Sequence, residues 1–431
     1  MTNDKGSAIT VAVLGGGHVG AAVANILLSH ADELAQRVGR PMQLQGVAVR
    51  DTARTRDGIP DQMLTTDAAA LADNADIVVE LIGGITDAAA LIERSLTRGA
   101  SVVTANKALI AVDGVRLHEL AARCGGDLYY EGAVAGAIPL LRPLRESFAG
   151  DNITKVLGIV NGTTNYILTQ MSDHGLAYQD ALSQAQQLGY AEADPTADVA
   201  GHDSAAKAVI LARLAFHADI DPSAVSIEGI ESVTPADIAA ARDMGFVIKL
   251  LAVAEKTEGV AGVVVRVHPT LVPMAHPLAS VRGPFNAVFV SADAAGDLMF
   301  YGRGAGGSPT ASAVVGDIVA AARNIAGGSR AHAVTPYASL RTLPLGEATT
   351  SYYVNLHVAD EPGVLAQVAQ AFSNHGVSIS VVRQDGDADD ARLVLRTHRA
   401  LESALAATVA SLRALPAVRH VDGVMRVEGV Q

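Results

Sequence analysis

The chain reads as an α/β protein in three parts: a Rossmann-type doubly wound parallel sheet, an α+β catalytic and dimerisation domain, and a C-terminal ferredoxin-like βαββαβ unit. Three features point there. A β-branched apolar run, Ile9–Leu14, stops at Gly15-Gly16-Gly17 and opens into a helix-like segment, after which strand and helix signals alternate as far as Thr104. From about Asp151 that rhythm is lost. From Tyr352 onward the order is strand, helix, strand, strand, helix, strand. Strands separated by helices pack as a parallel sheet with right-handed crossovers, whereas mixed runs suit an α+β domain.

Taken in order, Val19–Leu28 is expected to be a helix, Gln43–Val49 a second strand, and Ala75–Ile82 and Ala100–Thr104 two buried strands with a helix over Asp87–Arg98 between them. Beyond Asp151, ITKVLGIVNGTTNYILTQM suggests a strand running into a helix. Asp180–Leu188 and Asp198–Ala218 read as helices, Val263–Val267 and Phe285–Val290 as strands, and Ala311–Ile325 as a small-residue helix that packs back on the first domain. The terminal unit is expected to run Tyr352–Val358 strand, Gly363–His375 helix, Val377–Gln384 and Ala391–Thr397 strands, Leu401–Leu415 helix and Val418–Val427 strand. This divides the chain into a dinucleotide-binding domain over 1–139 (with 310–330), a substrate domain over 140–309, a Gly/Pro/Ser linker over 331–350 and a regulatory unit over 351–431.

Composition narrows the function. Thirty-two Lys and Arg against 45 Asp and Glu leave a net charge of −13, which argues against nucleic acid as the main partner. A chain that is 49% hydrophobic and 18% charged has the means to fold without staples. The single cysteine, Cys124, excludes a disulfide framework and a multi-cysteine zinc site. The start is too briefly apolar for a signal segment, and no apolar run is long enough to span a bilayer. A cytoplasmic enzyme acting on a small molecule, with no membrane partner, is therefore expected.

Gly15-Gly16-Gly17-His18-Val19-Gly20 fits G-x-G-x-x-G between a strand and a helix. Gly15 serves the turn, Gly17 the close approach of pyrophosphate and Gly20 the packing of helix on sheet, while the helix N-terminus at His18 and Val19 receives negative charge. The match taken alone also describes an ordinary tight turn. At the end of the second strand Arg50 suits the 2′-phosphate of NADP, although the adjacent Asp51 keeps NAD open. Lys107, after the Ala100–Thr104 strand, stands at the carboxyl edge of the sheet, where open α/β folds bind ligands.

The richest stretch is GYAEADPTADVAGHDSAAKAVILARLAF, residues 189–216. At helical spacing Val199, Asp203, Lys207, Ile210 and Leu214 lie within about 40° of one line, which puts Asp203 and Lys207 one turn apart on an apolar stripe. The plain alternative is a surface i,i+4 ion pair. Buried charge is costly unless compensated, so a lysine in such surroundings is a catalytic candidate. Glu192, Asp194 and Asp198 gather before it, beyond what helix-dipole complementation accounts for. Carboxylates beside a lysine suit a zwitterionic substrate, the acids for its ammonium and the lysine for its reacting oxygen. The turn Asn161-Gly162-Thr163-Thr164-Asn165 offers amides and hydroxyls for a substrate carboxylate.

GGGHVG, TANK (104–107), EGAVAGAIP (131–139), NGTTNYIL (161–168) and GYAEADPTADVAGHDSAAK (189–207) in this order resemble the homoserine dehydrogenases over nearly the whole chain. The terminal unit resembles an ACT domain, an architecture of feedback-regulated bacterial members. The resemblance implies interconversion of aspartate 4-semialdehyde and homoserine with NADP(H), or NAD(H). By the same resemblance, Lys207 is the proton-transfer lysine, and Glu192, Asp198, Asp203 and Lys107 bind substrate. Lys107 and Gly304 also lie beside the cofactor. The segment with Glu131, Val134, Gly136 and Ile138 holds a structural sodium ion through its carbonyls. Asp360 and Gly363 mark the amino-acid effector turn, with threonine the expected effector. Exposed sheet edges lead one to expect a homo-oligomer. Two rivals remain from the residues alone: another NAD(P)-dependent dehydrogenase with a regulatory tail, and a non-catalytic sensor of dinucleotide and amino acid.

Overall fold

The computed structural model of the chain describes residues 7–257, 260–331, 338–385 and 391–429. The chain divides into two compact units, one comprising Met1–Ile153, Val209–Pro222 and Ser291–Ser339, the other Thr154–Ala208, Ser223–Val290 and Leu340–Gln431.

The first unit is built on a six-stranded parallel sheet. Its spatial order is Leu64–Thr65, Met42–Ala48, Ile9–Leu14, Ile77–Glu80, Ser101–Thr104 and Leu128–Tyr129. The central strands Ile9–Leu14, Ile77–Glu80 and Ser101–Thr104 are almost wholly buried, which is why they read as continuous apolar runs. The order reverses between Ile9–Leu14 and Ile77–Glu80, and such a switch point opens a crevice at the carboxyl ends of the strands. Helix Gly307–Gly327 packs on this sheet. Its buried face is Ala311, Val314, Val315, Ile318, Ala321 and Ala322, joined in one core with Ile9, Val11, Val23 and Leu27. Residues 140–153 belong to this unit.

In the second unit Phe246–Lys256 and Gly262–Pro273 form an antiparallel hairpin, with Val267 opposite Ala252. Phe246–Lys256 had not been expected as a strand. Its FVIKLLAVAEK is buried on both faces at nearly every position, so it carries no alternation to betray the period of two. Ile153–Ile159 pairs with it antiparallel. The C-terminal strands follow in the order Val418–Val427, Thr349–Val358, Ala391–Thr397 and Ile379–Asp385, with helices Val364–Asn374 and Glu402–Arg413, giving the expected βαββαβ unit. Its core includes Val354, Leu356, Val368, Phe372, Leu393 and Leu405.

The segment expected as a linker over 331–350 is partly tied to the second unit. Residues 332–337 lie outside the described residues, but Arg341–Thr342 pairs in parallel with the start of Gly262–Pro273, and Leu343 N donates to the Val263 carbonyl. Leu343 and Ala348 are buried against Val264. The final strand also joins Gly262–Pro273 directly, Arg426 and Val427 pairing with Thr270 and Leu271. Glycine and proline content had marked this segment as punctuation. What it lacked was any local sign of the strand it pairs with.

A ring of largely buried charges lies at that join, with exposed Arg399 at its rim 3.7 Å from Glu255. Glu428 accepts from Lys155 Nζ at 2.6 Å and from Arg266 Nη2 at 2.6 Å, while Glu255 accepts from Arg266 Nη1 at 2.8 Å and lies 3.0 Å from Lys155 Nζ. Arg266 has no exposed surface. Two cations and two anions cancel, which is the condition for keeping charge in an apolar interior. Burial alone raises the Glu428 carboxyl pKa, but Lys155 and Arg266 outweigh it and hold the group well below the usual carboxylate range. Arg266→Ala leaves both carboxylates short of a partner and should lower stability by about 3–5 kcal/mol. A urea unfolding midpoint equal to the parent's would show the ring contributes nothing.

Candidate active site

The glycine turn of the first unit is shaped by what a side chain would strike. Gly15 has φ of +110°, and a Cβ there would meet the Leu81 carbonyl at 2.5 Å. At Gly20 a Cβ would overlap the Gly15 carbonyl. Gly17 has open space around it and caps helix His18–Ser29 without a side-chain hydrogen bond, so the first-turn amides are offered to a ligand. These are the features a pyrophosphate requires, and the residues present fit a dinucleotide. Glu80 reinforces the crevice from the neighbouring strand: its carboxylate accepts Ile82 N at 2.8 Å, Gly83 N at 2.9 Å and Thr104 Oγ1 at 2.7 Å. Arg50 is exposed just beyond strand Met42–Ala48. Sequence reasoning passed over Arg56, whose Nε donates to the Gly16 carbonyl at 3.1 Å. It lay too far past the strand for the spacing to single it out.

Thr104 Oγ1 accepts Asn106 N, and Asn106 caps helix Lys107–Cys124 through Leu109 N. Lys107 is thereby fixed as the first helical residue at the carboxyl edge of the sheet, where it was expected. The glycine-rich turn at 302–307 packs on two neighbours. Ala137 N donates to the Arg303 carbonyl, a Cβ on Gly136 would meet the buried Gly304 carbonyl at 2.5 Å, and one on Gly307 would meet the His18 carbonyl at 3.2 Å.

The loop expected to hold a cation is tightly curled. Ala135 and Gly136 take φ of +58° and +52°, curling the backbone between Val134 and Ile138. The Glu131 carboxylate is engaged elsewhere, accepting the amides of Leu140, Leu141 and Arg142 at 2.6, 2.8 and 2.9 Å, so any contribution of Glu131 to an ion falls to its carbonyl. Neutral carbonyl oxygens suit a hard monovalent cation. Among the described residues no group of three His, Cys, Asp or Glu side chains is gathered as for a metal.

In the second unit the acids and the lysine come together. The expected single helix over Asp198–Ala218 is broken: Thr196–Val199 is one turn, Gly201 turns the chain with φ of +88°, and His202–Phe216 begins afresh. Asp198 therefore projects from a short helix of its own, and Asp203 and Lys207 from the next. Lys207 Nζ donates to Asp203 Oδ2 at 2.7 Å and to the Val160 carbonyl at 2.6 Å. The lysine is 8% exposed, which rules out the surface-pair reading. Two of its three N–H groups are thus used, leaving one for a ligand.

Asn161 is the organising residue that the sequence had suggested only as part of a carboxylate-binding turn. Its Nδ2 donates to Asp198 Oδ1 at 2.7 Å and to Asp203 Oδ2 at 2.9 Å, while its Oδ1 accepts Thr164 N at the start of helix Gly162–His174. Thr163 Oγ1 donates to the Tyr190 carbonyl and Asn165 Nδ2 to the Gly283 carbonyl. The turn spends these groups on the protein, not on a ligand's carboxylate. Burial raises the Asp198 carboxyl pKa above its ordinary value, the Asn161 hydrogen bond opposes this and the Asp203 charge adds to it. Glu192 is exposed on the loop tied to Thr163 through Tyr190; among the described residues no hydrogen bond joins its carboxylate to the chain of Asp198, Asn161, Asp203 and Lys207. Asp194 turns away as a local cap, accepting Thr196 N and Oγ1.

Three family models match: the homoserine dehydrogenase catalytic domain over residues 139–319, the NAD-binding domain of homoserine dehydrogenase over 15–131 and the ACT domain over 352–417. The chain is 51% identical to the homoserine dehydrogenase of Corynebacterium glutamicum, covering 98% of this chain and 96% of that one. The chain belongs to the homoserine dehydrogenase family. A Mycobacterium tuberculosis relative is likewise 51% identical with 98% of each chain covered. The crystal structure of a homoserine dehydrogenase from Thiobacillus denitrificans superposes with a TM-score of 0.91 at 38% identity and 98% coverage of both chains. A hyperthermophilic archaeal homoserine dehydrogenase in complex with NADPH matches 73% of this chain with a TM-score of 0.62 at 27% identity. The protein is an NAD(P)-dependent oxidoreductase of this family with an ACT domain. No helix among the described residues is long and apolar enough to cross a membrane.

Asn161→Ala removes the donor that both carboxylates share. It should raise KM for homoserine by about tenfold, the cost of a hydrogen bond to charged groups, and leave KM for the nicotinamide cofactor unchanged. Steady-state kinetics with each substrate varied checks this, and equal changes in both constants would count against it.

Proposed function

We propose that the chain interconverts aspartate 4-semialdehyde and homoserine with NADP(H), Lys207 Nζ carrying the proton. The observation that supports this most directly is the hydrogen-bonded chain Lys207, Asp203, Asn161 and Asp198, with Lys207 and Asn161 buried and the two acids half-buried. Two carboxylates against one ammonium leave a net negative charge, and the ammonium group of an amino-acid substrate complements it. Asp198 and Asp203, with Glu192 from the adjoining loop and Lys107, bind the substrate in this reading. The dinucleotide supplies hydride chemistry when bound at Gly15, Gly17, His18, Val19, Gly20 and Gly304. Lys207 directs its free N–H to the carbonyl oxygen, stabilises the negative charge that develops there and passes a proton to it; in the reverse direction it takes the hydroxyl proton of homoserine. Asp203 and the Val160 carbonyl hold Nζ in place throughout.

Finer assignments rest on single features. Arg50, with Arg56 beside it on the glycine turn, supports NADP over NAD. The carbonyl-rich loop at Glu131, Val134, Gly136 and Ile138 suits a sodium ion. Gly363, with φ of +92°, caps helix Val364–Asn374 without a side-chain hydrogen bond, and beside exposed Asp360 this turn suits an amino acid such as threonine as feedback effector. Val381 and Val382 are exposed on edge strand Ile379–Asp385, and Leu298, Met299 and Tyr301 on Gly296–Arg303, which favours a homo-oligomer.

Lys207→Ala should lower kcat by roughly 10²–10⁴-fold or more, the range of a lost acid–base group, with NADPH binding by fluorescence titration intact. Parent-like turnover in that variant would sink the assignment. The raised Asp198 carboxyl sets a second expectation. Only its ionised form pairs with a substrate ammonium, so as pH falls through its elevated pKa the proton returns and homoserine binding weakens. The acid limb of kcat/KM should therefore lie above the ordinary carboxylate value of 3.8 and be lost in Asp198→Asn. An identical limb in the variant would refute the role.

A further inference from the structure

The turn between Asp198 and Asp203 rests on a second segment of backbone. Ile230 N donates to the Val199 carbonyl at 2.9 Å, a Cβ on Gly229 would overlap that carbonyl, and one on Gly201 would meet Ile227 and Val267 side chains at 3.1 and 3.3 Å. Gly229–Ile230 therefore lies against Val199–Ala200 backbone to backbone, while the Ile227 and Val267 side chains pack on Gly201. Glu228 N in turn donates to the Val267 carbonyl at 2.8 Å.

The Glu228 side chain is gripped by the regulatory domain. Arg426 Nη1, on the last strand, donates to Glu228 Oε2 at 2.9 Å. The same guanidinium is held from behind. Its Nε and Nη2 donate to the buried Glu402 Oε1 at 2.9 and 2.6 Å, Tyr352 Oη donates to that oxygen at 2.7 Å, and the guanidinium lies over the Tyr352 ring at 5.9 Å. Arg426 is pinned within the regulatory fold and reaches out by one N–H. The neighbouring Glu428 belongs to the buried ring, which keeps this end of the strand from sliding.

We infer that Arg426 and Glu228 are positioning residues for the reaction: the last strand of the regulatory domain, through this ion pair, sets the spacing of Asp198 and Asp203 around the substrate ammonium. The inference rests on the reading that these two acids receive the substrate. An arginine fixed by a carboxylate and an aromatic ring presents its remaining N–H groups in one direction, so the pair transmits position where a flexible surface pair does not.

The test is steady-state kinetics of full-length Glu228→Gln, Arg426→Gln and the double variant, varying homoserine and NADP⁺ separately. The Glu228 side chain is 52% exposed, so Glu228→Gln keeps the fold even if Arg426→Gln does not. Glu228→Gln should raise KM for homoserine roughly 2- to 30-fold, the range seen for residues that couple without touching ligand, while KM for NADP⁺ and the thermal midpoint stay at parent values. Glu228→Asp should recover part of the loss, and the double variant should be no worse than Arg426→Gln, as two ends of one contact require. An unchanged homoserine KM in Glu228→Gln, or an equal rise in both KM values, overturns the inference. Asp198→Asn and Asp203→Asn run alongside. If they leave homoserine KM unaltered, the substrate-site reading itself falls; if they raise it while Glu228→Gln does not, only the link to Arg426 falls.

Discussion

The catalytic half of this molecule is arranged around one ammonium group kept nearly out of water. Lys207 survives there because Asp203 neutralises it and the Val160 carbonyl accepts a second hydrogen bond from Nζ. That demand propagates outward. Asp203 must share Asn161 with Asp198, Asn161 must cap the following helix to keep its amide aimed at both, and Gly201 must turn the chain so that the two acids approach from separate helices. The surplus of negative charge left by this arrangement is an attraction for a cationic group, which the proposed function assigns to the substrate.

The cofactor half answers a different constraint, steric before electrostatic. A pyrophosphate is bound by backbone amides, so side chains have to be absent where the chain turns, and the carbonyls of Leu81 and Gly15 crowd the positions that Gly15 and Gly20 occupy. The two halves follow opposite strategies. One removes side chains to expose backbone; the other buries side chains so that a few charged atoms act in an apolar setting.

The ACT unit is more than an appended sensor. Its last strand hydrogen-bonds to Gly262–Pro273, and its final residues enter the neutral ring of Lys155, Glu255, Arg266 and Glu428. Lys155 lies on the strand that runs on to Val160 and Asn161. A regulatory domain so attached is part of the framework of the substrate site even when no effector is bound.

Local pattern was enough for the parallel sheet, the glycine turn, the βαββαβ order and the pairing of Asp203 with Lys207, because each depends on neighbours within a few residues or on a repeating period. The break at Gly201 was hidden within an apolar helical run, and strand Phe246–Lys256 within a stretch buried on both faces. Asn161 as bridge, Arg56 on the glycine turn and the hold of Arg426 on Glu228 each join atoms tens to hundreds of positions apart. A hydrogen bond depends on distance and angle in space, and no spacing along the chain records either. Sequence alone thus determined which groups could do the chemistry; the folded chain decided which atoms hold them, since burial and partner choice exist only once distant segments meet.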